Sequence, residues 1–211
     1  MIDDKLDRYI TEHISKEPER LTRLYRDTWL HRLYPRMCSD HYQGRVLKML
    51  VEMIRPLRIL ELGAYTGYST LCLAEGMPAG ATIDSIEIDD EMTDELLALF
   101  ADDPRGADIR LHTGDALKVV PTLPGYWDLV YIDANKRQYP DYLEMLLPRI
   151  VAGGYIIADN TLWSGKVTEA NDNDPQLRGI KEFNRSVRDN ERLECIMLPI
   201  RDGISLIRKN P

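Results

Sequence analysis

From Pro56 onward, short apolar runs alternate with segments of helical periodicity, and no other feature restricts the fold as strongly. Residues 58–62 (RILEL) form an apolar run ending at Gly63, and 66–77 read as a helix. A second run over 82–88 (TIDSIEI) precedes a helix over 91–100. The pattern continues with a strand over 108–112 and a short helix over 116–120, then a strand over 127–132 (WDLVYI) and a helix over 139–151. A fifth strand, 155–158 (YIIA), is separated by a loop over 160–174 from a helix over 175–188. Two further strands, 193–198 and 204–208, follow without a helix between them, and Asp202-Gly203 supplies a turn signal before the last. Such alternation predicts a mostly parallel sheet with helices on both faces. The missing helix between the final two strands predicts that the last one is antiparallel.

Ahead of Pro56, residues 1–55 read as helical. Leu6, Ile10 and Ile14 recur at four-residue spacing; Leu21, Leu24, Trp29 and Leu33 continue an apolar stripe; Val46, Leu47, Leu50, Val51 and Ile54 make another. Pro18 and Pro35 punctuate these segments, and Pro56 ends the third. There is no internal repeat, low-complexity tract or linker, so 1–211 reads as one domain, with helices over 1–55 and a core over 56–211. Hydrophobic residues at 44% and charged residues at 29% allow a full core and disfavour disorder. The net charge, 27 − 35 = −8, disfavours a broad nucleic-acid groove. Cys38, Cys72 and Cys195 are odd in number and lack a CxxC pair, which argues against a disulfide framework or zinc site and for a reducing compartment. The start, MIDDKLDRYITEH, is too polar for a signal peptide. No apolar run approaches the ~20 residues of a spanning helix. The expectation is a soluble cytoplasmic protein.

Open sheets of this kind bind ligands at the C-terminal ends of their strands, and the chemically informative residues lie there. The first strand runs into 61–69 (ELGAYTGYS). Gly63 and Gly67 permit a tight turn with backbone close to a ligand, ahead of the free N–H groups of a helix. The pair also fits an ordinary strand-to-helix turn, and its spacing is not the GxGxxG of dinucleotide binders. Glu87 ends the second strand, where a carboxylate accepts hydrogen bonds from a ribose diol or caps a helix. Asp115, in Gly114-Asp115-Ala116, stands where it reaches an adenine or N-caps the next helix. Asp133 ends the fourth strand, and Asp159-Asn160 the fifth. Neighbouring parallel strands lie ~5 Å apart. If these two are neighbours, two carboxylates and an amide oxygen converge in a hard donor set that suits octahedral Mg²⁺ with open positions. Lys136, three residues past Asp133, is either a general base, its neutral form favoured by a nearby cation, or a solvated surface lysine.

Taken together, these residues resemble the catechol and caffeoyl-CoA O-methyltransferases, the cation-dependent class I family. The matching motifs are 61–69, 131–136 (YIDANK), 158–165 (ADNTLWSG), Met37, Ser39, Gln43 and Gly44 upstream, and Asp202-Gly203 downstream, spanning roughly residues 35–208. The resemblance implies a Rossmann-like α/β fold: seven mostly parallel strands, the last antiparallel, with an N-terminal helical extension. It implies S-adenosylmethionine (SAM) and a divalent cation, Mg²⁺ foremost, as cofactors. Gly63, Tyr65 and Ser69, with Glu61 in the same loop, would hold the methionine portion of SAM. Glu87 would bind the ribose, Asp115 and Ala116 would flank the adenine, and Met37 and Ser39 would lie over the cofactor. Asp133 would ligate metal and approach the SAM amino group. Asp159 and Asn160 would complete the ligands, and Lys136 would take the acceptor's proton. Trp163 would wall the substrate side, although a packed loop tryptophan is the other reading. The implied acceptor is a small hydroxylated aromatic, and the implied assembly a homodimer. Asn135 departs from the aspartate of many members, and residues 1–34 carry no information on the acceptor.

Three other readings compete. Some relatives methylate a hydroxylated wobble uridine in tRNA, and Arg20, Arg23, Arg26, Arg32 and Arg36 form a basic run, balanced in sequence by Glu17, Glu19 and Asp27. The −8 charge weighs against that acceptor. A non-catalytic SAM-binding module would lack the metal residues or Lys136, all of which are present. An NAD-dependent oxidoreductase would need different glycine spacing.

Overall fold

The computed structural model describes residues 4–170 and 173–211, so residues 1–3 of the expected helical segment and 171–172 of the expected loop lie outside the described residues. The strands are β1 (Arg58–Leu62), β2 (Thr82–Glu87), β3 (Ile109–Thr113), β4 (Trp127–Ile132), β5 (Ile150–Asp159), β6 (Leu193–Leu198) and β7 (Ile204–Lys209). They form one sheet in the order β3-β2-β1-β4-β5-β7-β6. The first five pair in parallel, and β7 runs antiparallel to both β5 and β6. This is the Rossmann-like α/β sheet expected, with β7 as its reversed strand.

Successive strand residues point to opposite faces, and this parity builds two apolar layers. Ile59, Ile83, Leu129, Tyr131 and Ile157 pack with Leu47, Val51, Leu71 and Leu73 of helices α3 (His41–Ile54) and α4 (Tyr68–Gly76). Leu60, Leu62, Val130, Ile132 and Ile156 face the other way, onto α7 (Tyr139–Leu146) and α8 (Pro175–Arg188). Helices α5 (Thr93–Ala101) and the short α6 (Ala116–Val119) follow β2 and β3.

The largest departure from the sequence reading lies between α7 and β5. The helix stops at Leu146, a 3-10 turn spans Leu147–Arg149, and β5 begins at Ile150. Pro148 has no N–H with which to continue the helical hydrogen-bond ladder, so the α-helix gives way to a 3-10 turn even though Leu147 keeps helical dihedrals (φ −54°, ψ −42°). The β4–β5 pairing then jumps from Trp127↔Ile150 to Leu129↔Tyr155. Gly153 in the left-handed region (φ 79°) absorbs the extra residues.

At the N-terminal side, α1 (Asp4–His13) and α2 (Glu19–His31) precede α3. Leu21 is fully buried, but Trp29 and Leu33 are 47% and 83% exposed. Leu33 falls beyond the helix, because α2 ends at His31 and a 3-10 turn over Pro35–Met37 redirects the chain, and within α2 it is Thr28 rather than Trp29 that is buried. Arg20 pairs with Asp103 and Arg32 with Glu95, so these members of the basic run are engaged across the fold. Among the described residues, no helix is long and apolar enough to cross a membrane.

Candidate active site

Strand order reverses at β1, whose two neighbours β2 and β4 carry the chain to opposite sides. A crevice therefore opens at the strand tips there. Gly63 stands at its centre with φ 96°, and its N–H donates to Ile86 O at 2.9 Å. A Cβ at this position would lie 2.2 Å from the carbonyl oxygen of Asp133. Only glycine lets the β1 and β4 tips approach this closely. Gly67, at φ 82°, starts α4. Tyr65, also left-handed at φ 49°, donates its N–H to Glu87 Oε2 at 2.6 Å, and Asp89 N–H donates to Glu87 Oε1 at 3.0 Å. Asp115 N-caps α6 through Leu117 N–H at 3.0 Å while still facing the crevice.

Glu61 sits beneath this loop. It has no solvent exposure and accepts hydrogen bonds from the hydroxyls of Ser69 (2.6 Å), Thr70 (2.5 Å) and Ser85 (2.6 Å). Burial pushes its carboxyl up to about 7, against the opposing pull of those hydroxyls.

The pairing Ile132↔Ala158 brings Asp133 and Asp159, the next residues, to the same level of adjoining strands. Tyr139, buried on α7, places its hydroxyl 3.1 Å from Ile132 O and 3.0 Å from Asp159 O, spanning the two tips. Asp159 is buried; its Oδ2 accepts from Gln43 Nε2 at 2.6 Å and its Oδ1 from Asn160 N–H at 2.7 Å. Burial and the charge of Asp133 push its carboxyl above the ordinary range. Asn160 turns the chain with φ 58°. Lys136 donates to Asp133 Oδ1 at 2.6 Å and lies 5.1 Å from the Tyr139 ring centroid. Burial alone would lower its proton affinity, but Asp133 and further anionic neighbours outweigh burial and raise it. In the chain by itself, Lys136 is therefore a buried ammonium paired with Asp133 and not a solvated surface lysine.

These tips border one cavity of about 720 Å³. Met37, Ser39, Gly63, Tyr65, Ser69, Glu87, Asp115, Ala116, Asp133, Lys136, Asp159, Asn160 and Trp163 all line it. Glu61 does not: it supports the floor through Ser69. Trp163, half-buried and also left-handed (φ 46°), anchors its indole N–H on Asp174 at 3.3 Å. Among the described residues, no three His, Cys, Asp or Glu side chains gather as a metal cluster. A cation at this edge would therefore take an amide oxygen beside the two carboxylates, and Asn160 meets that need. All three residues line the same cavity and offer hard oxygens, a donor chemistry that fits a Mg²⁺-like ion.

The O-methyltransferase family model matches residues 11–210. The chain belongs to this O-methyltransferase family. It is 32% identical to caffeoyl-CoA O-methyltransferase 1 of Zea mays, over 98% of this chain and 85% of the relative. The O-methyltransferase TomG of Streptomyces achromogenes, solved with SAM, superposes with a TM-score of 0.90 at 25% identity over the whole of both chains. The Podospora anserina methyltransferase PaMTH1, solved with S-adenosylhomocysteine, gives 0.89 at 26% identity over 99% of this chain and 95% of the other. The present O-methyltransferase is thus a SAM-dependent enzyme of the cation-dependent class I type.

Sequence reasoning did not foresee several neighbours of the O-methyltransferase site. Gln43 was noted only as part of a motif, and its bond to Asp159 spans 116 positions. Arg201, which also lines the cavity, carried no signal beyond its place before a turn. Tyr139 reads as one more apolar helix residue. Gly179 of α8 would set a Cβ 2.3 Å from Lys136 O, so its lack of a side chain is what lets α8 seat the lysine segment.

Proposed function

We propose that residues 1–211 act as one catalytic domain that methylates a hydroxyl of a small catechol-like aromatic, with Asp133, Asp159 and Asn160 holding a divalent cation. The supporting observation is that these three residues and Lys136 line the same cavity as the glycine loop of β1, with Asp133 and Asp159 at the same level of adjoining strands. The acceptor class is that of the caffeoyl-CoA O-methyltransferases, to which the chain is 32% identical. SAM supplies a methyl on positive sulfur, so the chain's task is to present an oxyanion in line with it. A bound cation supplies Lewis-acid stabilisation of that oxyanion.

In this reading Gly63, Tyr65 and Ser69 hold the methionine portion of SAM, and Glu61 stiffens that loop from below. Glu87 accepts from the ribose hydroxyls, Asp115 and Ala116 border the adenine, and Met37 and Ser39 cover the cofactor. Asp133 serves both the metal and the SAM amino group. With a cation on Asp133, Lys136 would face added positive charge instead of a free carboxylate, which would favour release of its ammonium proton to solvent; the neutral amine left could then take the acceptor's proton. Trp163 supplies the flat wall an aromatic acceptor packs against. Holding the acceptor oxygen about 3 Å from the methyl makes the displacement effectively unimolecular.

Chelator treatment followed by a methyl-transfer assay on catechols and caffeoyl thioesters tests the reading. Activity lost in chelator and restored by Mg²⁺ is expected. Full turnover in chelator rejects the cation. Total tRNA in the same screen tests the alternative acceptor, which the engaged Arg20 and Arg32 disfavour, and light scattering tests the homodimer implied by the family resemblance.

A further inference from the structure

Arg201 occupies an improbable position. It is a non-glycine residue with φ 49° in the turn between β6 and β7, a conformation L side chains rarely adopt. Its side chain nonetheless reaches from that turn to the segment leading into α3. Nη1 donates to Gln43 Oε1 at 3.0 Å and to Cys38 O at 3.2 Å, and Nε pairs with Asp40 Oδ2 at 3.4 Å. Asp40 uses its other oxygen to cap α3, accepting Gln43 N–H at 2.9 Å.

The consequence falls on Gln43, whose side chain is fully buried. A glutamine amide presents an acceptor on one side and donors on the other. Arg201 is an obligate donor, so Oε1 must face it. That leaves Nε2 to donate to Asp159 Oδ2 at 2.6 Å and to the Tyr131 hydroxyl at 3.1 Å. The Asp159 carboxylate also selects Nε2, since an amide oxygen turned toward it would set two acceptors against each other; the guanidinium adds an anchor at the opposite end of the amide, fixing Oε1 so that Nε2 stays seated on Oδ2.

We propose that Arg201 is a positioning residue for the metal-binding wall: by anchoring the Gln43 amide from its oxygen end, it holds Asp159 with Oδ2 committed to Gln43 while Oδ1 accepts the Asn160 N–H. The inference rests on Asp159 being a metal ligand. It follows the general pattern in which a ligand's own hydrogen-bond partner sets ligand geometry. It also accounts for a left-handed arginine where glycine would be easier, since residues are held in sparsely populated conformations when their side chains are needed.

The test uses the full chain with Mn²⁺ as probe, titrated by calorimetry, with thermal melts alongside. Arg201→Gly removes the guanidinium and suits the turn's φ, so its melting temperature should stay within about 3 °C of the unaltered chain. Its Mn²⁺ affinity should fall about ten- to a hundredfold. Arg201→Met, which keeps length without donors, should show the same loss and serves in its place should the glycine variant melt early. In a Gln43→Ala background, Arg201→Gly should change affinity by less than about twofold, because the residue it acts through is gone. Unchanged Mn²⁺ affinity in both Arg201 variants, or a full loss that persists in the Gln43→Ala background, overturns the inference while leaving the metal reading intact. No Mn²⁺ uptake by the unaltered chain overturns the metal reading and this inference together.

Discussion

Two buried charges, Glu61 and Lys136, differ in what holds them. Glu61 has three hydroxyl donors and no cation, and burial carries its carboxyl to about 7. The folded chain therefore binds this proton more tightly than the unfolded chain, so the contribution is full below about pH 4.5 and declines as pH rises through 7. Relative to Glu61→Gln, the unaltered enzyme should lose stability on the order of 3 kcal/mol between pH 4.5 and 8. Denaturant melts of both proteins across that range decide it, and parallel curves would show that Glu61 is not the titrating group. Lys136 is paired with Asp133 at 2.6 Å. Lys136→Met should lower kcat about 10²- to 10⁴-fold, as loss of a general base does, with SAM affinity nearly unchanged. Weakened SAM binding at normal kcat would make it a cofactor contact instead. Glu61 shows the limit of local reading: the strand pattern placed it beside the cofactor loop, but the parity that turns Leu62 to one face turns Glu61 inward among Ser69, Thr70 and Ser85.

Among the elements, α8 shows how packing overrides propensity. Alanine is favoured over glycine inside a helix by about 1 kcal/mol, so Gly179→Ala would stabilise α8 in isolation. Here the added carbon meets Lys136 O at 2.3 Å and Arg137 Cα at 2.8 Å, and no rotamer change relieves a contact with backbone. The helix or the lysine segment must shift. Gly179→Ala should lower the melting temperature and reduce kcat by about tenfold or more, since displacements near 1 Å at a reacting centre cost about that much or beyond. A variant at least as stable and as active would mean the two elements slide apart freely. The boundaries of α8 were legible because Asp174 caps it, Pro175 opens it and its apolar positions are periodic. The start of β5 was not, because a register jump around Gly153 leaves no periodic trace.

At the scale of the whole molecule, the sheet reverses its order at β1 and the cavity opens there, lined by residues at the tips of the parallel strands. A ligand that binds only the folded state stabilises it by mass action. SAM at a hundredfold excess over its Kd should raise the melting temperature by about 5–10 °C, and NAD should not; equal shifts would reject the cofactor preference. The amino-acid sequence alone determined the strands and helices, the acidic and glycine residues at the strand tips, and the family they resemble, because periodicity and turn chemistry act over a few neighbouring residues. Only the tertiary structure decided that β4 lies beside β5, that Gln43 reaches Asp159 across 116 positions and Arg201 reaches Gln43 across 158, and that Glu61 lies under the cavity rather than in it. Those relations depend on close packing between distant segments, and the composition of neither partner encodes the other's approach.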